Sequence, residues 1–309
     1  MDYNEGVLPI GQGGMKVPKR IPKHDKDGVH PIGDYGKKEK AGIGAAEIAL
    51  FAFLIVGILV TALAYYYVGR PAGLSYEMVG GEVHIIDYEG NDVSLVIPAT
   101  REGRPVTRIR EGVFEGNAAI ESVTFGENLR TIDDRAFKDM ENLDTVHLED
   151  ETALLEVGTD VFSGTPFDAA QDDDMFAFVG RVLYRVNEAH VDRNVSIPEE
   201  TLAIAKEAFY DIDTIESVTF NPGLLFIGER AFARMNSLNV LSFETTIDLL
   251  VISQEAFAYN AMLETIEAPI ESPIERIGSD AFKDTPWRVM QDPEFYHFGN
   301  IRVEESRID

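Results

Sequence analysis

The 309-residue chain has no cysteine, and beyond residue 70 it holds only three lysines, Lys138, Lys206 and Lys283. Without thiols there is no disulfide framework, thiolate metal site, thiol nucleophile or lipidated-cysteine anchor. Basic residues are scarce overall, with 27 Lys and Arg against 54 Asp and Glu for a net charge of −27. That balance argues against nucleic acid, because phosphate binding is driven by Lys/Arg neutralisation and counterion release. It also disfavours broad docking on anionic lipid.

Signatures of catalysis are missing too. The six histidines, His24, His30, His84, His147, His190 and His297, form no His-Glu-x-x-His or comparable metal spacing. There is no Gly-x-Ser-x-Gly elbow, and the glycines at 11–14 follow no strand and lack a Walker Lys-Ser/Thr pair. Asp172-Asp173-Asp174 is acidic enough for a divalent cation, but without the alternating spacing and following glycine of a calcium loop it reads as a solvated loop. Asn194-Val195-Ser196 fits a glycosylation sequon. No enzyme, cofactor or metal site is expected.

The charge that is present is unevenly spread. Residues 1–44 carry 8 basic and 6 acidic residues, whereas residues 71–309 carry 18 and 47. Between them Ile48 to Val68 is a run of 21 uncharged residues ending in Tyr65-Tyr66-Tyr67. At about 1.5 Å per residue such a helix spans about 30 Å, the thickness of a bilayer core. The tyrosines stand where an aromatic belt belongs. Lys16, Lys19, Arg20, Lys23, Lys26, Lys37, Lys38 and Lys40 precede the run, and only Arg70 follows it closely. The positive-inside bias therefore keeps a disordered tail in the cytoplasm and puts residues 71–309 outside the cell membrane.

Three fates are open to this run. It is a permanent single-pass anchor, through which copies of the chain can also associate, or a cleaved secretory signal with Ala62-Leu63-Ala64 as the small-x-small site. The third rests on Lys37-Lys38-Glu39-Lys40-Ala41-Gly42 followed by Ile43-Gly44-Ala45-Ala46-Glu47, which resembles a type IV or archaeal pilin leader. That resemblance implies cutting after Gly42, a mature start at Ile43 and an assembly role for Glu47, its fifth residue, opposite a neighbour's N-terminus.

The exterior is repetitive. An aliphatic residue followed five positions later by Phe recurs in IREGVF (109–114), IDDRAF (132–137), VGTDVF (157–162), IAKEAF (204–209), IGERAF (227–232), ISQEAF (252–257) and IGSDAF (277–282). The phenylalanines are spaced by 23, 25, 47, 23, 25 and 25 residues, and IESVTF appears twice, at 120–125 and 215–220. Units this short cannot bury their own apolar face, so they stack as a solenoid around a Phe/Ile/Leu core. The alternating tail of each unit predicts a short strand, and the Ala-Phe stretch a turn or short helix opposite it.

The Ile-Gly-x-x-Ala-Phe box, the Leu-x-x-Val-x-Phe strand and the preceding Ile-Pro together resemble the BspA-type leucine-rich repeat over most of residues 75–285. The resemblance implies a leucine-rich-repeat α/β solenoid with short parallel strands, displayed at a cell surface for adhesion or protein binding without catalysis.

The expected layout is a cytoplasmic tail (1–44), a transmembrane helix (45–69), a linker and hairpin cap (70–98), a first repeat block (99–167), an inserted hairpin (168–198), a second block (199–287) and a C-terminal cap (288–309). The stretches 77–98 and 175–198 both read as strand, turn, strand, then Ile-Pro, and Thr-Pro-aromatic closes each block. Strand residues between core positions face outward. They form lanes through Ser122, Thr145, Ser217, Val240 and Thr265, and through Thr124, His147, Thr219, Ser242 and Glu267. Beside these run Glu121, Asp144, Glu216, Asn239 and Glu264. Hydroxyls bordered by carboxylates suit an extracellular protein or glycan ligand.

Overall fold

Every repeat makes one turn of a coil that lays down two rungs, one long and one short. The computed structural model describes residues 73–243, 250–268, 274–291, 295–298 and 301–304. The apolar run at 48–68, and with it Gly42, Ile43 and Glu47, lies outside the described residues. Among the described residues no helix is long and apolar enough to cross a membrane.

Long rungs carry the Val-x-Phe pattern. Ser94–Ile97, Ser122–Phe125 and Thr145–Leu148 form one parallel sheet, with Ser122 opposite Thr145 and Thr124 opposite His147. Asn194–Ser196, Ser217–Phe220, Val240–Phe243 and Thr265–Glu267 form a second. The two copies of Ser-Val-Thr-Phe alternate half-buried and buried residues identically, as one core-facing side requires.

Short rungs surround the aliphatic residue five positions before each Phe. In the first block Glu82–Tyr88, Arg104–Ile109, Thr131–Ile132 and Glu156–Val157 pair in parallel. In the second the order is Val182–Val186, Ala203–Ile204, Phe226–Ile227, Leu250–Ile252 and Ile274–Ile277. Within the repeats the spacing points only to the long rung as strand, and the hairpins read at 77–98 and 175–198 supply Glu82–Tyr88 and Val182–Val186; two-residue rungs such as Thr131–Ile132 are too short to show a period.

The Ala-Phe stretch is a turn in every copy. Residues two before and two after each Phe have positive φ throughout: Gly112 and Gly116, Arg135 and Asp139, Asp160 and Gly164, then Glu207 and Asp211, Arg230 and Arg234, Glu255 and Tyr259, Asp280 and Asp284. These left-handed positions turn alternate peptides so that their N–H groups face the next repeat. Arg135, Phe137 and Asp139 donate to the carbonyls of Thr159, Val161 and Ser163 at 2.9, 3.0 and 2.8 Å. The hydrogen bonds gained offset the roughly 1–2 kcal/mol that left-handed backbone costs a side-chain-bearing residue.

Phe rings stack along the axis beneath these turns. Successive centroids lie 4.9 and 5.5 Å apart through Phe114, Phe137 and Phe162, and 4.5, 5.4 and 5.2 Å through Phe209, Phe232, Phe257 and Phe282. Interplanar angles of 6–19° show that one ring repeats per rung, near the spacing of neighbouring strands. Each buried ring contributes about 2–3 kcal/mol of apolar transfer. Close stacking also excludes Cβ at some positions. One added to Gly228 would meet the Ala205 carbonyl carbon at 2.6 Å, and one at Gly278 the Gln254 nitrogen at 2.4 Å.

Each block is opened by an antiparallel hairpin, Leu74–Val79 with Glu82–Tyr88 and Phe176–Val179 with Val182–Val186. The strands before Ile97-Pro98 and Ile197-Pro198 leave the hairpin and become the first long rung. Each block closes on a helical turn, Pro166–Ala169 or Pro286–Val289. There the Thr165 or Thr285 hydroxyl accepts from the N–H three residues on, and proline at the first helical position needs no partner for a missing N–H. A third hairpin, Phe295–Phe298 with Ile301–Glu304, follows the second block.

Candidate functional site

The outward lanes fall on two separate sheets. Ser122, Thr124, Ser217, Thr219 and Ser242 are half-buried, and Glu121, Asp144, Thr145, His147, Glu216, Glu264, Thr265 and Glu267 are exposed. Read along the sequence the lanes run on without a break, but no pairing joins Thr145–Leu148 to Asn194–Ser196. The turn of the inserted hairpin sits against the edge, where a Cβ on Gly180 would meet Leu148 at 2.9 Å. Within each sheet the hydroxyls are engaged sideways. The Ser122 hydroxyl donates to Ser94 Oγ at 2.9 Å, that of Ser217 to Asn194 Oδ1 at 2.7 Å, and that of Ser242 to Glu267 Oε2 at 3.2 Å. Thr145 donates to its neighbour Asp144 at 2.7 Å, and Arg193 pairs with Glu216 at 2.7 Å.

The short-rung face is different. A groove of about 500 Å³ runs along it from Arg108 and Asp133 in the first block to Arg276 and Ser279 in the second. Its floor comprises Ile132, Val157, Phe226 and Ile277, and its rim includes Asp134, Glu156, Lys206, Glu229 and Gln254. Phe226 lies between Ala203 and Val251 in register, so its half-buried ring has small neighbours on both sides. Gly158, Gly228 and Gly278 line the next lane, where neighbouring rungs pack too closely for a side chain.

What makes the groove continuous is the joint between blocks. The Lys206 N–H donates to the Val157 carbonyl at 3.0 Å, carrying the hydrogen bonding of the short rungs across the insertion. Its ammonium lies 2.8 Å from Asp134 Oδ2, while Asp134 Oδ1 accepts from the Thr159 N–H at 2.9 Å. Partial burial alone would raise the Asp134 carboxyl, but the Lys206 ammonium and the Thr159 N–H outweigh it and hold the group below the usual carboxylate range. Lys206 is raised in turn: desolvation pulls it down, and the Asp134 carboxylate more than offsets this. Farther along, Arg108 Nε donates to both oxygens of Asp133 at 3.0 and 3.1 Å.

Such a surface offers an aromatic platform and fixed charges of both signs. That set suits recognition by contact. Among the described residues no three His, Asp or Glu side chains gather as a metal site. Asp172 instead pairs with Arg185 at 2.9 Å. The pattern of long-strand side chains pointed to the lanes and missed Phe226, Lys206, Asp134 and Glu229. A signal for them existed in the recurrent aliphatic residue before each Ala-Phe: the residues flanking Ile109, Ile132, Val157, Ile227 and Ile277 line the groove.

No curated protein matches this chain. Solved structures similar to it include a leucine-rich repeat protein of T. pallidum, 16% identical over 71% of this chain and 89% of that one, with a TM-score of 0.32. A leucine-rich cell surface protein from Faecalibacterium prausnitzii is 19% identical over 76% and 57% of the two chains, with a TM-score of 0.33. The pneumococcal vaccine antigen PcpA is 16% identical over 71% and 79%, also with a TM-score of 0.33. The family model of the BspA type leucine rich repeat region matches six copies, at residues 98–171 and 191–297. With more than half its length matched, and with two rungs and a buried Phe in every turn, the chain belongs to the BspA-type leucine-rich-repeat family.

Proposed function

We propose that this chain is a membrane-anchored surface protein whose solenoid captures an extracellular protein or glycan without catalysis. The observation that carries this reading is the groove on the short-rung face. It crosses the Lys206 joint and offers one surface spanning both blocks, whereas the long-rung sheet is interrupted at the same point. Specific recognition favours a concave surface with an apolar floor and a few placed polar groups. The 21-residue apolar run and the lysines before it support anchoring with the repeats outside.

Binding of the intact protein to glycan and peptide arrays tests the proposal. Glu156→Lys with Glu229→Lys is expected to abolish capture, and Thr145→Lys with Thr265→Lys to leave it intact. The reverse result would move the ligand to the hydroxyl lanes, and an array blank in both cases would end the binding-module reading. The intact mass of native protein tests the anchor: a start at Met1 or residue 2 supports it. A start at Ile43 would replace it with a filament subunit assembled through Glu47, and a start at Tyr65 with a secreted solenoid.

A further inference from the structure

At the first turn of the solenoid two arginines face each other, and neither is held in an ion pair among the described residues. Thr100–Arg101 pairs with Arg104–Ile109, so Arg101 stands directly opposite Arg104 across the tight turn Glu102-Gly103, whose φ values are 52° and 75°. Directly opposed like charges on an antiparallel pair repel. Among the described residues neither arginine forms an ion pair, although Arg108 and Arg110 just beyond engage Asp133 and Glu77. Residues 101–110 hold four arginines and one acid, inverting the balance of the rest of the exterior.

Apolar surface adjoins this pair. The Arg101 guanidinium lies 4.0 Å from the centroid of the Tyr76 ring. Beside it a depression of about 400 Å³ is lined by Leu74, Ser75, Tyr76, Met78, Arg101 and Glu102. Met78 and Val79 are 52% and 46% exposed on the edge strand Leu74–Val79. Five residues separate the apolar run ending at Val68 from Leu74, a reach of at most about 20 Å.

We propose that this end of the solenoid seats on the outer leaflet of the membrane that anchors it. Arg101 and Arg104 clamp a lipid phosphate between them, and Met78 and Val79 enter the acyl boundary beneath Tyr76. Planar guanidinium groups suit phosphate oxygens, and an aromatic ring beside aliphatic side chains suits the headgroup level. The seat rests on the anchored reading above.

The absence of native cysteine allows a single environment-sensitive fluorophore to be placed at will. Val79→Cys labelled with a nitrobenzoxadiazole, in full-length chain reconstituted into phosphatidylcholine–phosphatidylglycerol vesicles, is expected to brighten several-fold over the same label on Met262→Cys. Arg101→Glu with Arg104→Glu should return it to the aqueous level. A chain that resists carbonate extraction while the label at 79 stays aqueous overturns the seat alone. A chain extracted by carbonate overturns the anchor and the seat together. The same brightening with inorganic phosphate and no vesicles would put a soluble anion between the arginines and overturn the lipid assignment.

Discussion

Lys206 Nζ lies 2.8 Å from Asp134 Oδ2, joining residues 72 positions apart across the boundary between the two repeat blocks. In a solenoid each turn normally contacts only its neighbours, so long separations arise where a chain insertion has been looped out. Here the insertion is the hairpin Phe176–Val179 and Val182–Val186, and the contact closes the coil over it.

Removing that contact is expected to loosen the joint more than the blocks. Both side chains are about 30% exposed, which screens the pair, so Lys206→Met should cost no more than about 1 kcal/mol in denaturant unfolding. Because the Asp134 carboxyl is depressed in the folded protein, its contribution is present above the ordinary carboxylate value. It is lost as pH falls through the lower folded value. Protection of the Lys206 amide, relative to its intrinsic exchange rate at each pH, should therefore fall in acid in the native chain, and this dependence should flatten in Lys206→Met.

Gly228 should tolerate no side chain. Its φ is not left-handed, so the obstacle is space: a Cβ would stand 2.6 Å from both the Ala205 carbonyl carbon and the Lys206 nitrogen. Gly228→Ala must spread two rungs apart and is expected to cost about 1–3 kcal/mol, in the range of overpacked cores. Gly80→Ala at the first hairpin tip meets nothing within 4 Å and should cost only about 1 kcal/mol, from its φ of 59°. Thermal unfolding of the two variants compares these costs.

Tyr184 closes the end of the first block. Its ring meets Phe162 edge-on at 5.4 Å, and its hydroxyl donates to Asp168 Oδ1 at 2.7 Å. Burial, reinforced by the adjacent carboxylate, pushes its ionisation far above the usual phenol range. A raised folded value means the contribution is complete below about pH 10 and is lost as pH climbs beyond it. Tyr184→Phe should cost about 1 kcal/mol at neutral pH and flatten the alkaline loss of stability, as followed by circular dichroism across pH.

Phe232 sits in the middle of the longer ring stack and is fully buried, touching Phe209, Phe220 and Phe257. Phe232→Ala is expected to cost about 3–5 kcal/mol. Nearest-neighbour coupling in a solenoid predicts the manner of the loss as well. Denaturation should split into two transitions, because the missing ring uncouples the turns on either side.

Much of this architecture can be read from spacing alone. Within each block the Phe of the repeated box recurs at 23–25 residues, with 47 across the insertion, and every one of the seven is fully buried. The repeated Ser-Val-Thr-Phe foretells which residues of the long rungs face in, because alternation in a strand is a property of the backbone. Less of the candidate site was legible. Rungs as short as Thr131–Ile132 or Glu156–Val157 show no period, and they exist only because a neighbouring rung supplies their hydrogen-bonding partners.

By itself, then, the sequence determined the number of turns, the identity of the core and the outward sense of the long-rung side chains. These follow from local rules that each unit obeys alone. Tertiary structure decided that the long-rung lanes break into two sheets, that Lys206 reaches back to Asp134, and that the groove through Phe226 crosses the break. These relationships join residues brought together only by stacking across an insertion, and no local pattern encodes which edge meets which.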